Sequence, residues 1–178
     1  YGGFNVSCPD ATDGSIDLTA AGGNGGYTYV WTGPSGFSAN TEHLTGFAPG
    51  TYSAAITDIN GCTYTETITL SAPQPINAAL DAATFSSGTN ISCNGSSDGS
   101  ITAEVNGGAP NFTFSWDGPG GFTANSAAIN GLIAGDYCLN IADANGCTGQ
   151  QCITLTEPAI LTTSATGTNA TCGQATGA

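Results

Sequence analysis

The sequence predicts an all-β protein made of tandem antiparallel β-sandwich repeats with an 85-residue period. Three observations predict it. Gly 27, Met 0 and abundant Thr, Ser and Asn favour short strands joined by turns over helices. Aromatic and aliphatic residues alternate with polar ones at period 2 in several segments. Most tellingly, a shift of 85 residues brings Cys8 onto Cys93, Gly22-Gly23 onto Gly107-Gly108, Trp31 onto Trp116, Gly33-Pro34 onto Gly118-Pro119, and Asn60-Gly61-Cys62 onto Asn145-Gly146-Cys147.

Composition also excludes whole classes of function. Lys+Arg 0 against Asp+Glu 13 gives a formal net charge of −13. Nothing here can neutralise phosphates, so neither nucleic acid nor an anionic lipid surface is an expected partner. Chemistry that needs a lysine base or an arginine clamp is excluded as well. No run approaches 18 consecutive apolar residues, so no membrane insertion is expected. A hydrophobic content of 39% with aromatics at 8% suffices for packed cores, so this is not a disordered acidic tail. Seven cysteines in a lysine-free acidic chain point to an oxidising, extracellular setting.

Taken in chain order, Ile16 and Leu18 flank Asp17 on a first strand, and Ile101 and Ala103 flank Thr102. Tyr27, Tyr29 and Trp31, and then Phe112, Phe114 and Trp116, share one strand face and are read as core aromatics. Phe37 and Phe122 follow Gly-Pro turns and are read as exposed tips, the candidate ligand contacts. Asp143-Ala144-Asn145-Gly146-Cys147 reads as a hairpin loop with Gly146 in the left-handed region. Counting outward from that loop sets Cys138 opposite Cys152 on the outer face, as a cross-strand disulfide; unit 1 has Ser53 and Thr67 there.

Proline marks the seams, because it cannot continue a ladder. Pro73 and Pro158 close residues 1–73 as unit 1 and 74–158 as unit 2, with 159–178 opening a third unit. Unit 1 lacks the counterpart of the strand Ile76–Phe85, and Ile160–Thr168 is expected to be that strand for unit 3. The recurrent cysteines are expected to pair within each unit, Cys8 with Cys62 and Cys93 with Cys147. A bridge closing a loop of roughly 55 residues contributes about 4 kcal/mol in the chain-entropy model. Cys172 is then unpaired, awaiting a partner in the third unit. The rival reading, a metal site, lacks any Cys-x-x-Cys, and the single His43 does not recur.

These residues carry a resemblance. Cys93–Ile101 (Cys-Asn-Gly-Ser-Ser-Asp-Gly-Ser-Ile), then Gly-Gly, the aromatic-x-aromatic-x-Trp strand, Gly-x-Tyr and Asp-Ala-Asn-Gly-Cys closely resemble the SprB-type repeat. That repeat occurs in large surface adhesins of gliding Bacteroidetes bacteria. Unit 1 departs from it at Pro9-Asp10-Ala11. The resemblance implies an immunoglobulin-like sandwich, similar also to PKD domains, and export to the cell surface by type IX secretion. It implies no ligand.

A function shared by every unit should use residues present in both. Among the acids only Asp13/Asp98 and Asp58/Asp143 recur, all in turns where the side chain bonds its own backbone. No metal or other cofactor is therefore expected. Calcium is the alternative, at these turns or at a seam through Glu157 or Asp81. Asp17, Glu42, Glu66, Glu104, Asp117 and Asp136 do not recur as glycosidase carboxylates would need to, and His43 reads as a loop residue, so no catalytic residue is assigned. Sequons stand at Asn5, Asn90, Asn94, Asn111 and Asn169. The expected role is a disulfide-stapled spacer in an extracellular surface fibre or adhesin, in contact with neighbouring repeats. One alternative is a filament of identical chains joined head to tail by strand addition. Another is a carbohydrate-binding module with a glycan or surface ligand.

Overall fold

The computed structural model describes residues 3–167. Unit 1 contributes β1 (Gly14–Asp17), β2 (Thr28–Thr32), β3 (Ser38–Ala39), β4 (His43–Phe47), β5 (Gly50–Thr57) and β6 (Thr63–Leu70). Its two sheets run β1-β4 and β3-β2-β5-β6, and every pairing is antiparallel. Unit 2 contributes β7 (Asn77–Ala82), β8 (Gly99–Asn106), β9 (Thr113–Gly118), β10 (Phe122–Ala124), β11 (Ala128–Leu132), β12 (Gly135–Ala142) and β13 (Thr148–Leu155). Its sheets run β11-β8-β7 and β10-β9-β12-β13, again antiparallel throughout. The chain is all-β, as the composition and alternation imply, and each unit packs one sheet on another.

The two units superpose in plan, element for element, apart from β7. β8 pairs with β11 through Gly99–Thr102, and from Glu104 onward its ladder partner is β7 alone. Unit 1 has no such neighbour among the described residues, and the equivalent β1 stops at Asp17. A strand needs a ladder for its N–H and C=O groups, so the same sequence pattern gives eight residues of strand in one unit and four in the other.

Each core is built on one tryptophan. Trp31 and Trp116 are fully buried, and their indole N–H groups donate to Thr41 O (2.8 Å) and Ser126 O (2.9 Å). Tyr52 and Tyr137 are buried beside them, with hydroxyls donating four residues back to Ala48 O (2.9 Å) and Ile133 O (3.1 Å). Such a corner ties the strand start to the preceding turn. Gly33 and Gly118 lie against these rings: a Cβ there would meet Tyr52 or Tyr137 carbon at 2.6 Å.

The other predicted core aromatics sit further out. Tyr29, Phe112 and Phe114 are half-buried at the core margin, and Tyr27 lies outside the packed cluster, its hydroxyl bonded to Gly22 O. Phe37 and Phe122 are not exposed tips. The 3₁₀ turns Pro34–Gly36 and Pro119–Gly121 reverse the chain and fold both rings back onto the core. Phe37 meets Phe47 and Tyr52 edge-on at 4.8 and 5.7 Å, and Phe122 meets Tyr137 at 5.5 Å. His43, expected in a loop, lies instead in β4 opposite Asp17, its exposed side chain placing Nδ1 3.1 Å from an Asp17 carboxylate oxygen. No strand forms over 160–167, where Ile160 and Leu161 are exposed, and Cys172 and Asn169 lie outside the described residues.

Candidate functional site

The feature both units present to a neighbour is the tip of their last hairpin, and one acid organises it. Asp143 N donates to Cys147 O (3.0 Å) and Gly146 N to Asp143 O (3.1 Å), with Gly146 at φ 83°, the left-handed conformation the loop requires. The Asp143 carboxylate then accepts from Asn145 N and Cys147 N on one oxygen and from Ala109 N on the other, all at 2.9 Å. Asp58 repeats the arrangement with Asn60 N, Cys62 N and Asn24 N. The tip is thereby locked to the Gly-Gly loop of its own unit.

Electrostatics follow from those donors. Burial pushes the Asp143 pKa up, but the N–H groups of Ala109, Cys147, Asn145 and Gly146 outweigh it and hold the carboxyl below its ordinary value. For Asp58 the Cys62 N–H is the leading cause of a lowered pKa, with Asn24 and Asn60 assisting against burial. Asp98 is lowered by the Ser92 hydroxyl and N–H. These recurrent carboxylates thus answer N–H donors of their own unit, and Ser7 N donates likewise to Asp13 at 3.0 Å. Glu157 accepts from Gly95 N (2.7 Å) and Asn94 Nδ2 (2.8 Å). Among the described residues no group of three or more His, Cys, Asp or Glu is gathered as a metal ion would need.

The second half of the site is the segment before each first cysteine. Asn5 accepts from Ser71 N and Oγ, both at 2.9 Å, and Asn90 accepts from Thr156 N (3.0 Å) and Oγ1 (3.2 Å). Val6 and Ile91, fully buried, plug the same end of the sandwich. Each asparagine therefore clamps the first cysteine to the C-terminal end of that unit's last strand.

This placement overturns the expected disulfides. Cys93 lies at the far end of β13, beside Thr156 and Glu157, whereas Cys147 immediately precedes its start. Eight strand residues separate the ends by roughly 27 Å at about 3.4 Å each. A disulfide requires Cα atoms within about 7 Å. The pairs Cys8–Cys62 and Cys93–Cys147 cannot close inside a unit. Instead Cys8 of unit 1 is bonded to Cys147 of unit 2, Cα to Cα 5.6 Å, across 139 residues of sequence. Asn145 Nδ2 donates to Ser7 O at 3.2 Å beside it, and the Cys147 sulfur rests 3.1 Å from the same oxygen. Cys138 and Cys152 stand opposite each other in register and are bonded, Cα to Cα 4.1 Å. Cys62 and Cys93 are exposed and unpaired among the described residues.

Sequence reasoning missed one further feature. Beside unit 1 lies a cleft of about 580 Å³ lined by Leu18, Ala20, Gly22, Ile56, Tyr64 and Ile68, among others. In unit 2 the equivalent space is filled by Pro75, Ile76 and β7: a Cβ on Gly107 would meet Pro75 O at 2.1 Å, and one on Gly108 would meet Ile76 at 2.7 Å. At Gly22, the counterpart of Gly107, a Cβ would meet nothing within 4 Å. The signal was in the Gly-Gly repeat, which marks a close backbone approach.

The SprB-repeat family model matches this chain at residues 5–36 and 86–121. Both matches run from the asparagine clamp, or just before it, through the first cysteine and the Gly-Gly pair to the tryptophan strand and the turn beyond it. That family is one of structural repeats and not of enzymes. No curated protein matches the chain. Two stretches of the chain, 32 and 36 of its 178 residues, are thus similar to the SprB repeat.

Proposed function

We propose that this chain is a stalk segment of an extracellular surface fibre or adhesin, in which covalently linked units hold a fixed spacing under tension. The observation that carries this reading is the bond between Cys8 and Cys147. Tension entering before residue 8 and leaving after residue 147 passes through that bond and bypasses most of both units. Neither sandwich must then resist unfolding on its own. An oxidising location accords with two disulfides in a chain of this kind. A net charge of −13 keeps such units apart from one another and soluble. The absence of Lys and Arg leaves no site for trypsin-like proteases.

Single-molecule extension from the two termini tests this. The oxidised chain should keep the 139-residue segment hidden at all forces below disulfide rupture. Reductant, or Cys8→Ser, should release roughly 470 Å of contour length at about 3.4 Å per residue. Full extension of both units in the oxidised chain would overturn the proposal.

A further inference from the structure

The bond between the units has a direction. It joins the first recurrent cysteine of one unit to the second recurrent cysteine of the next, Cys8 to Cys147. The two cysteines left over among the described residues are the complementary halves of the same bond. Cys62 is the second cysteine of unit 1, at the position of Cys147, and Cys93 is the first cysteine of unit 2, at the position of Cys8. Both are exposed. Their surroundings reproduce the bonded pair as well. Asp58 holds Cys62 N at 2.9 Å, as Asp143 holds Cys147 N at 2.9 Å. Asp98 holds Ser92 N at 3.1 Å, as Asp13 holds Ser7 N at 3.0 Å.

A second, independent observation lies in the cleft of unit 1. In unit 2 the same space is filled by the chain that leaves unit 1 after β6 and passes through Pro75 and Ile76 into β7. In the chain that leaves unit 2 after β13, Leu161 stands 85 residues beyond Ile76. Leu161 is 92% exposed and Ile160 68% exposed. Their counterparts are Pro75 and the half-buried Ile76, which lead into β7, so two adjacent large apolar side chains stand in water here where unit 2 has a segment laid against its sandwich. The cleft, with Leu18, Ile56 and Ile68 on its walls and the unpaired edge beyond β1, is an acceptor of matching shape. Tyr64 stands at its mouth where unit 2 has Gly149, so the donor enters against an aromatic ring.

We propose that each end of this chain docks a further repeat of the same kind, in the relation unit 2 already bears to unit 1, and a second copy of the chain, its unit 1 against unit 2 of the first, is the probe that supplies it. Residues 159–166 of the first copy run along the β1 edge of the second, and Cys93 of the first bonds to Cys62 of the second. This rests on the stalk reading only in that both use the bond between units. The bond forms by exchange with a small-molecule disulfide such as oxidised glutathione. The Cys93 thiolate attacks it, forming a mixed disulfide and expelling one thiolate. The Cys62 thiolate then displaces the second. The two protein thiols lose two protons and two electrons in all, and the reagent ends as two thiols.

The test uses the full chain carrying Cys172→Ser, oxidised with a glutathione redox buffer at about 0.15 M salt, where charge repulsion is screened beyond about 8 Å. Non-reducing electrophoresis should show a ladder of multimers. Because the chain has no Lys or Arg, cleavage before Asp replaces trypsin. It isolates Cys62 in peptide 58–80 and Cys93 in peptide 81–97, and these two should be joined in the dimer band. Ile160→Asp with Leu161→Asp should slow ladder formation at least tenfold while the Cys8–Cys147 bond still forms. Dimers joined Cys62 to Cys62 or Cys93 to Cys93, or a chain that stays monomeric, would overturn the proposal. So would an unchanged rate in the double variant. Loss of the Cys8–Cys147 peptide pair would instead overturn the stalk reading, so the two failures are distinguishable.

Discussion

Unit 2 and unit 1 share a pattern, yet they are unequal as folded objects. Unit 2 buries Ile91, Ile101, Trp116, Leu132, Tyr137, Leu139, Ile141 and Leu155 with Ala78 of β7 in one cluster. Unit 1 buries Ile16, Trp31, Leu44, Tyr52, Ala54 and Leu70. Ala54 holds the place of Leu139, and Ile56, half-buried at the cleft, holds that of Ile141, which is 2% exposed. Unit 2 also carries the Cys138–Cys152 bridge where unit 1 has Ser53 and Thr67. A single strand, β7, accounts for much of the difference. It covers one side of the sandwich, extends β8 by half its length and fills the space that stays open beside unit 1. In unit 2 that completion comes from the segment that leaves unit 1 after β6.

The comparison is breakable by making unit 2 resemble unit 1. Each unit holds one of the 2 tryptophans, so Trp31→Phe leaves fluorescence reporting on unit 2 and Trp116→Phe leaves it reporting on unit 1. Leu139→Ala installs unit 1's residue at a fully buried position and should cost about 3 kcal/mol in unit 2, the usual range being about 2–5 kcal/mol. Equilibrium unfolding in guanidinium, followed at Trp116, checks this. A loss below about 1 kcal/mol would mean that the core of unit 2 relaxes around the cavity and is not the better packed of the two.

The second change exchanges the cross-strand bridge for unit 1's pair, as Cys138→Ser with Cys152→Thr. A separation of 14 residues corresponds to about 3 kcal/mol in the chain-entropy model, and measured bridges commonly deliver less. Reduction of the Cys8→Ser variant, which retains Cys138–Cys152 but not the bond between the units, should lower the unit 2 midpoint by a similar amount and leave the unit 1 midpoint unchanged. If the exchanged variant unfolds at the wild-type midpoint, the bridge adds no stability to a hairpin already held by its register.

Much of this was legible in the residues. Strand alternation located Trp31 and Trp116, and Asp-x-Asn-Gly-Cys gave the hairpin register that sets Cys138 against Cys152, because both rest on contacts local in sequence. The recurrent cysteines were not legible by recurrence. A period of 85 places Cys8 at the same phase relative to Cys62 and to Cys147, so a repeat cannot distinguish a bond within a unit from one between units. The distinction came from which end of the last strand each cysteine occupies. That was fixed by Asn5 and Asn90 reaching Ser71 and Thr156, each 66 residues away in sequence. Phe37 and Phe122 were misread for a related reason. A Gly-Pro turn signals a reversal, but only Tyr52 and Tyr137 on another strand show the rings where to pack.

The smallest expected effect concerns acid. Asp143 and Asp98 in unit 2 and Asp58 in unit 1 all have pKa values lowered in the folded state. Such a group adds stability that is fully present above the unfolded value of about 3.9 and is lost as pH falls through the folded value. These groups therefore leave the unfolding midpoints level from pH 7 to about pH 5 and lower them below about pH 4. Total charge acts the other way, since titrating the carboxylates relieves the repulsion of a −13 chain. The raw acid slope mixes the two. Asp143→Asn separates them, because it turns an amide N–H₂ toward the Ala109 N–H or the hairpin N–H groups while changing net charge by one. Wild type should exceed this variant at pH 7 by about 1–2 kcal/mol, one poorly satisfied buried N–H, and the gap should narrow as pH drops below 4. A gap that stays constant down to pH 2.5 would show that the carboxylate holds the hairpin tip by shape alone, with no contribution from its charge.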